Sequence, residues 1–123
     1  MNNSSSSLFA ETGGNGTRAY RCSECSSVVT YSDRLTAVSG SKTHTFTNPA
    51  GMRCDVQTFS SCPGAIAIGQ PTGEYTWFPG YEWSLAVCRH CGSHLGWYYE
   101  AASEQTGPKD FWGILTYHLI PDS

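Results

Sequence analysis

Charge is scarce in this chain. Of 123 residues only seven are Lys or Arg, against ten Asp or Glu, for a formal net charge of −3. A nucleic-acid-binding surface needs a clustered excess of cations to displace phosphate counterions, so no nucleic-acid partner is expected. No apolar run approaches the roughly 20 residues that a helix needs to cross a bilayer, so no membrane association is expected either. Apolar residues nowhere recur at a helical period, which argues against a helical bundle. No internal repeat is visible, and no cysteine follows Cys91. The stretch 1–17 is equally poor: apart from Met1 its apolar residues are Leu8, Phe9 and Ala10 in an Asn/Ser/Gly background. It has neither a basic n-region nor an apolar h-region and so does not read as a secretory signal. It is expected to be a disordered leader, with residues 18–120 forming one zinc-binding domain.

What the sequence does contain is two matched cysteine pairs, Cys22-Ser-Glu-Cys25 and Cys88-Arg-His-Cys91. A C-x-x-C turn brings two thiolates to one ion, and two such turns complete a tetrahedral Cys₄ site, the usual closed structural site for zinc. One Zn²⁺ per chain is expected, with no open position for chemistry. Such binding contributes about 10–16 kcal/mol of folding free energy. Reduced thiols and the missing signal point to a cytoplasmic protein, in which Cys54 and Cys62 read as free thiols rather than as a pair.

Between the cysteines, short β-rich runs alternate with Gly/Pro turn signals. Strands are expected at Arg18–Arg21, Ser27–Tyr31, His44–Thr47, Arg53–Phe59, Ala65–Gly69, Glu74–Phe78, Trp83–Val87, His94–Glu100 and Phe111–His118. Pro49-Ala-Gly51, Pro63-Gly64, Pro71-Thr-Gly73 and Pro79-Gly80 separate them through Pro's fixed φ and Gly's permissive one. Tyr31–Val38 is the closest approach to a helix, and Ala101–Pro108 reads as a polar loop. The fold class is all-β, two small antiparallel sheets joined near the zinc.

Aromatic residues concentrate beside the second cysteine pair. Trp77 and Trp83 bracket the Pro79-Gly80 turn, and Trp97 follows in the strand that leaves Cys91. Alternation puts Trp97 and Tyr99 on one face of that strand and Tyr98 on the other. A tryptophan-rich core is one reading. A three-walled pocket for a flat ring, or for a cation held by the ring quadrupoles, is the other.

The run Pro71-Thr-Gly-Glu-Tyr-Thr-Trp-Phe-Pro-Gly-Tyr-Glu-Trp83, the segment Cys88-Arg-His-Cys-Gly-Ser-His-Leu-Gly-Trp97, the Asn48-Pro49 step and Phe111-Trp-Gly-Ile114 together resemble the CULT domain, the thalidomide-binding domain of cereblon. The resemblance runs from about Tyr20 to Leu119, and a domain of this length resembles the stand-alone bacterial cereblon-like proteins rather than the full receptor. It implies a β-tent fold, two antiparallel sheets meeting at an angle and pinned by a structural Cys₄ zinc. It also implies a cage of Trp77, Trp83 and Trp97 for a glutarimide or related cyclic imide, with Tyr99 as a fourth wall. The Tyr75 carbonyl and Trp77 N–H would bond the imide edge from the strand carrying Trp77, and Asn48 with Pro49 would meet the exposed part of the ligand. Where vertebrate receptors have histidine this chain has Tyr75, a change expected to tune the rim. The implied function is a small-molecule binder, working as a monomer, for thalidomide-type imides, uracil-like rings or a cyclised Asn or Gln at a peptide end.

Two other readings compete. Cys88-Arg-His-Cys-Gly-Ser-His-Leu-Gly96 also resembles methionine-R-sulfoxide reductase. That chemistry needs a nucleophilic cysteine well after the second C-x-x-C, and the sequence has none, so Cys54 or Cys62 would serve only as a resolving thiol. A nucleotide-exchange or chaperone-like module on the same fold would use an exposed surface and has no need of three clustered tryptophans. His94 reads as a satisfied core histidine, His90 as solvent-facing, and His44 and His118 have no visible partner. Glu74 and Glu82 flank the pocket motif without forming a pair. Nothing composes a catalytic dyad or triad, and the chain is expected not to be an enzyme.

Overall fold

The computed structural model describes residues 16–104 and 106–123, so the leader expected at 1–17 lies almost wholly outside the described residues. Nine strands appear in chain order: β1 Ala19–Cys22, β2 Val28–Tyr31, β3 Thr43–Thr47, β4 Arg53–Phe59, β5 Ala65–Thr72, β6 Tyr81–Cys88, β7 His94–Ala101, β8 Asp110–Leu115 and β9 Leu119–Pro121. They form two antiparallel sheets, a small one in the order β2-β1-β9 and a large one in the order β3-β4-β8-β7-β6-β5. The turn from β1 to β2 carries Cys22 and Cys25, and the turn from β6 to β7 carries Cys88 and Cys91, so the metal joins one sheet to the other.

Register decides what each face of the large sheet carries. Trp83 pairs with Tyr99 and Leu85 with Trp97 across β6 and β7. Tyr99 pairs with Phe111 and Trp97 with Gly113 across β7 and β8, and Phe46 pairs with Cys54 across β3 and β4. Pleating therefore sets Trp83, Trp97, Tyr99, Phe111, Cys54 and Phe46 on one face. The opposite face packs Phe59, Ala86, Leu95 and Ile114 against Cys22, Val29 and Leu119 of the small sheet. Leu95 reaches that side because the register slips between Ala86 and Val87; the bulge turns the side chain over. Gly96 is required where β7 crosses β8, since a Cβ there would sit 2.1 Å from the Gly113 carbonyl oxygen.

Several expected elements are corrected. Glu74–Phe78 is not a strand but part of the irregular connection between β5 and β6. Alternating Tyr75 and Trp77 imitate a strand, yet Tyr75 has φ +57°, outside the β region. Phe78 is buried among His44, Phe46, Tyr99 and Phe111, so the connection is anchored by core insertion rather than by a ladder. Tyr31–Val38 yields a single 3₁₀ turn, Ser32–Arg34. The strand expected at Phe111–His118 stops at Leu115, because a second 3₁₀ turn, Thr116–His118, redirects the chain into β9 on the other sheet.

Candidate metal centre and aromatic pocket

The two cysteine turns are built alike. In the first, the Cys22 N–H donates to the Ser27 carbonyl and the Ser26 N–H to the Cys22 carbonyl, both at 2.8 Å; in the second, the Cys88 N–H donates to Ser93 and the Gly92 N–H to Cys88, again at 2.8 Å. The residue after the second cysteine is left-handed in each, Ser26 at φ 68° and Gly92 at φ 79°. The four sulfurs lie within 4.8 Å of one another, with Cys22 to Cys91 at 3.7 Å and Cys25 to Cys88 at 3.6 Å. Tetrahedral zinc with bonds of about 2.3 Å requires sulfurs roughly 3.8 Å apart, so the cluster fits one structural Zn²⁺. Bonds with Ser27 and Ser93 hold the Cys25 and Cys91 thiols below their ordinary pKa, while burial pushes Cys88 up to about 11. All four ligands were read from the sequence, and the structure brings all four together.

On the aromatic face of the large sheet, a pocket of about 270 Å³ is lined by Asn48, Pro49, Cys54, Tyr75, Trp77, Trp83, Trp97 and Tyr99. The seven residues named from the sequence are thus gathered in one place, and an eighth joins them. Trp83, Trp97 and Tyr99 come from the rigid β6–β7 pair. Trp77 comes from the irregular connection, held flat against Phe46 (ring centroids 4.6 Å, 9°) and edge-on to Trp97 (4.9 Å, 77°). Tyr99 is 2% exposed and stacks on Phe111 at 4.9 Å; burial pushes its phenol above the ordinary range. The Trp83 indole N–H donates to the Glu74 carbonyl at 2.7 Å. Among the described residues, the Tyr75 carbonyl and the Trp77 N–H are engaged by no other group.

Asn48 has a task that the sequence reading did not assign. Its Oδ1 accepts from the Ala50 and Met52 N–H groups, both at 2.9 Å, closing the β3–β4 turn. Only its amide N–H donors remain for a ligand. Neither Cys54, which reads from the sequence only as a free or resolving thiol, nor Phe46, which backs Trp77, is expected at the pocket from the sequence. Their signal was register: Phe46 and Cys54 are cross-strand partners, which cannot be read from either strand alone. Cys54 and Cys62 are unpaired and belong to separate clusters; burial pushes the Cys62 thiol up to about 12. His94 is satisfied by the Gly96 carbonyl at 2.9 Å and backs Trp97, and His44 bonds the Ser41 carbonyl at 3.0 Å.

With this geometry in place, similarity to known proteins is specific. The model of the Yippee-Mis18 family, described as Yippee zinc-binding/DNA-binding and Mis18, centromere assembly, matches residues 19–119. Protein cereblon of Gallus gallus is 37% identical over 76 residues, covering 62% of this chain and 17% of that protein. Protein cereblon of Danio rerio is 37% identical over 76 residues, covering 62% and 18%. Protein cereblon of Drosophila virilis is 34% identical over 98 residues, covering 77% and 15%. The chain therefore spans less than a fifth of the length of these curated relatives.

Proposed function

We propose that this chain, which belongs to the Yippee zinc-binding and Mis18 family and within it is a cereblon-type domain, is a non-enzymatic receptor for cyclic imides and related cyclic amides. The observation that carries this reading is the pairing of an aromatic cleft with two unengaged backbone groups, the Tyr75 carbonyl and the Trp77 N–H. An imide edge offers one N–H donor flanked by carbonyl acceptors, the complement of that pair. The flat faces of the ring would stack against Trp83, Trp97 and Tyr99. A cyclised Asn or Gln at a peptide end presents the same edge. A ligand of about 20 heavy atoms at roughly 0.3 kcal/mol per atom gains about 6 kcal/mol, a dissociation constant of some tens of micromolar.

The pocket thiol does not favour the reductase alternative. Cys54 is 4% exposed, with the Met52 carbonyl near its sulfur, and Cys62 lies in a different cluster. An attacking thiolate needs a stabilising cation and a resolving partner. We expect no thiol-dependent turnover of a methionine sulfoxide. Nor is a nucleic-acid role proposed, since Arg21, Arg34 and Arg53 pair with Asp122, Asp33 and Asp55. The reading extends to a monomer in the cytoplasm, where a reducing environment keeps the zinc-ligating cysteines as thiols. The test is an intrinsic-fluorescence titration of the zinc-loaded protein with glutarimide, N-methylglutarimide and tetramethylammonium. Saturation by glutarimide alone is expected, because the methyl blocks the donor. Equal affinity for the N-methyl imide, or tight binding of the ammonium instead, would replace this reading with a cation or shape-only cage.

A further inference from the structure

The connection 73–80 supplies two lining residues and both unengaged backbone groups, yet it belongs to no ladder. Its second half is firmly seated: Phe78 is buried and its carbonyl accepts from Tyr81 at 3.0 Å, and Trp77 is stacked on Phe46. Within the connection its first half makes short-range bonds, Glu74 N–H to Thr72 Oγ1 at 3.1 Å, Thr76 N–H to the Gly73 carbonyl at 3.2 Å and, each at 3.3 Å, Thr76 Oγ1 to the Phe78 carbonyl and the Phe78 N–H to Thr76 Oγ1. One bond among the described residues ties Glu74 or Tyr75 to anything outside 72–76, the Trp83 indole N–H to the Glu74 carbonyl at 2.7 Å. That carbonyl belongs to the peptide plane immediately before Tyr75, so holding its oxygen fixes the rotation that gives Tyr75 its φ of +57°. The Tyr75 side chain is 74% exposed and cannot hold that conformation by burial, and a non-glycine residue adopts it only under constraint.

We propose that Trp83 is a latch as well as a wall, and that its indole N–H sets which way the Tyr75 carbonyl and Trp77 N–H face. Because this donor is already committed to Glu74, Trp83 offers the ligand only its ring face. Polar selectivity then falls on backbone that Trp83 positions. As a specificity device this rests on the imide reading; as a property of the connection it does not.

The test compares Trp83→Phe, which keeps a ring on β6 but deletes the N–H, with Trp97→Phe, which loses an indole that makes no such bond. In ligand-free, zinc-loaded protein, backbone ¹⁵N order parameters for residues 74–76 should fall from about 0.85 to below about 0.6 in Trp83→Phe and stay rigid in Trp97→Phe. Glutarimide affinity should fall about tenfold in Trp83→Phe, the scale of one net hydrogen bond. That loss should shrink in a Tyr75→Asn background, because asparagine tolerates the left-handed conformation. Order parameters that do not change, or that fall equally in both variants, would overturn the latch. So would a Trp83→Phe loss of the same size in both backgrounds, which would leave Trp83 a wall alone. If the connection loosens as expected but wild type has no affinity for glutarimide, the latch stands and the imide reading falls.

Discussion

The metal end and the pocket end of this molecule are both built around turns with a left-handed residue, and they use it to opposite effect. At the metal end, Ser26 and Gly92 close two near-identical turns in which the cysteine backbone groups are bonded at 2.8 Å. Everything needed lies within six consecutive residues, Cys22 to Ser27 or Cys88 to Ser93. At the pocket end, Tyr75 is left-handed in a connection outside every ladder, and among the described residues no group engages the carbonyl it carries. Satisfied backbone makes a pin, and unsatisfied backbone beside an aromatic cleft makes a place for a ligand. The two ends share one large sheet, which lets the pin hold the pocket's rigid walls without touching the ligand.

Removing the metal should break both ends at once. Chelation, or Cys88→Ser, forfeits much of the roughly 10–16 kcal/mol of metal-linked folding energy; loss of near-ultraviolet dichroism together with zinc release is the expected result. Gly96→Ala strikes the strand between the ends. Its Cβ would sit 2.1 Å from the Gly113 carbonyl oxygen and 2.9 Å from the Ile114 Cα, so denaturant unfolding should show a loss of about 3 kcal/mol, the upper range of overpacking.

Trp97→Ala should separate the ends. We expect zinc content to be retained and imide affinity to weaken by about 2 kcal/mol, as for a buried aromatic anchor, read by calorimetric titration of metal-checked protein. Asn48→Ala should act mainly on the β3–β4 turn, since two N–H groups lose their acceptor. A stability loss of about 1–2 kcal/mol in a denaturant titration is expected, with a smaller change in glutarimide affinity. The finest contrast is between the two strained residues. Ser26→Gly relieves left-handed strain but gains unfolded-chain entropy, for a net stabilisation of about 0.5 kcal/mol with ligand affinity unchanged. Tyr75→Gly should gain similarly in thermal unfolding but lose affinity. Equal affinity in both variants would show that the pocket does not depend on a fixed Tyr75 backbone.

What the sequence determined by itself were the features whose physics is local. Two C-x-x-C spacings specify two turns and a closed metal site, because four thiolates and one tetrahedral ion admit little else. Period-2 runs gave most of the strands, including the alternation that sets Trp97 and Tyr99 on one face. Tertiary structure alone decided which strands are neighbours, and with that the pocket's remaining parts. Cys54 and Phe46 join the site through cross-strand register, which involves residues on two separate strands. Glu74–Phe78 reads as a strand because Tyr75 and Trp77 alternate, but burying Phe78 among Tyr99 and Phe111 outweighs extended backbone. Asn48 and Trp83 were visible as ligand contacts and invisible as supports, since a side chain's second hydrogen-bond partner depends on what the folded chain brings within about 3 Å of it.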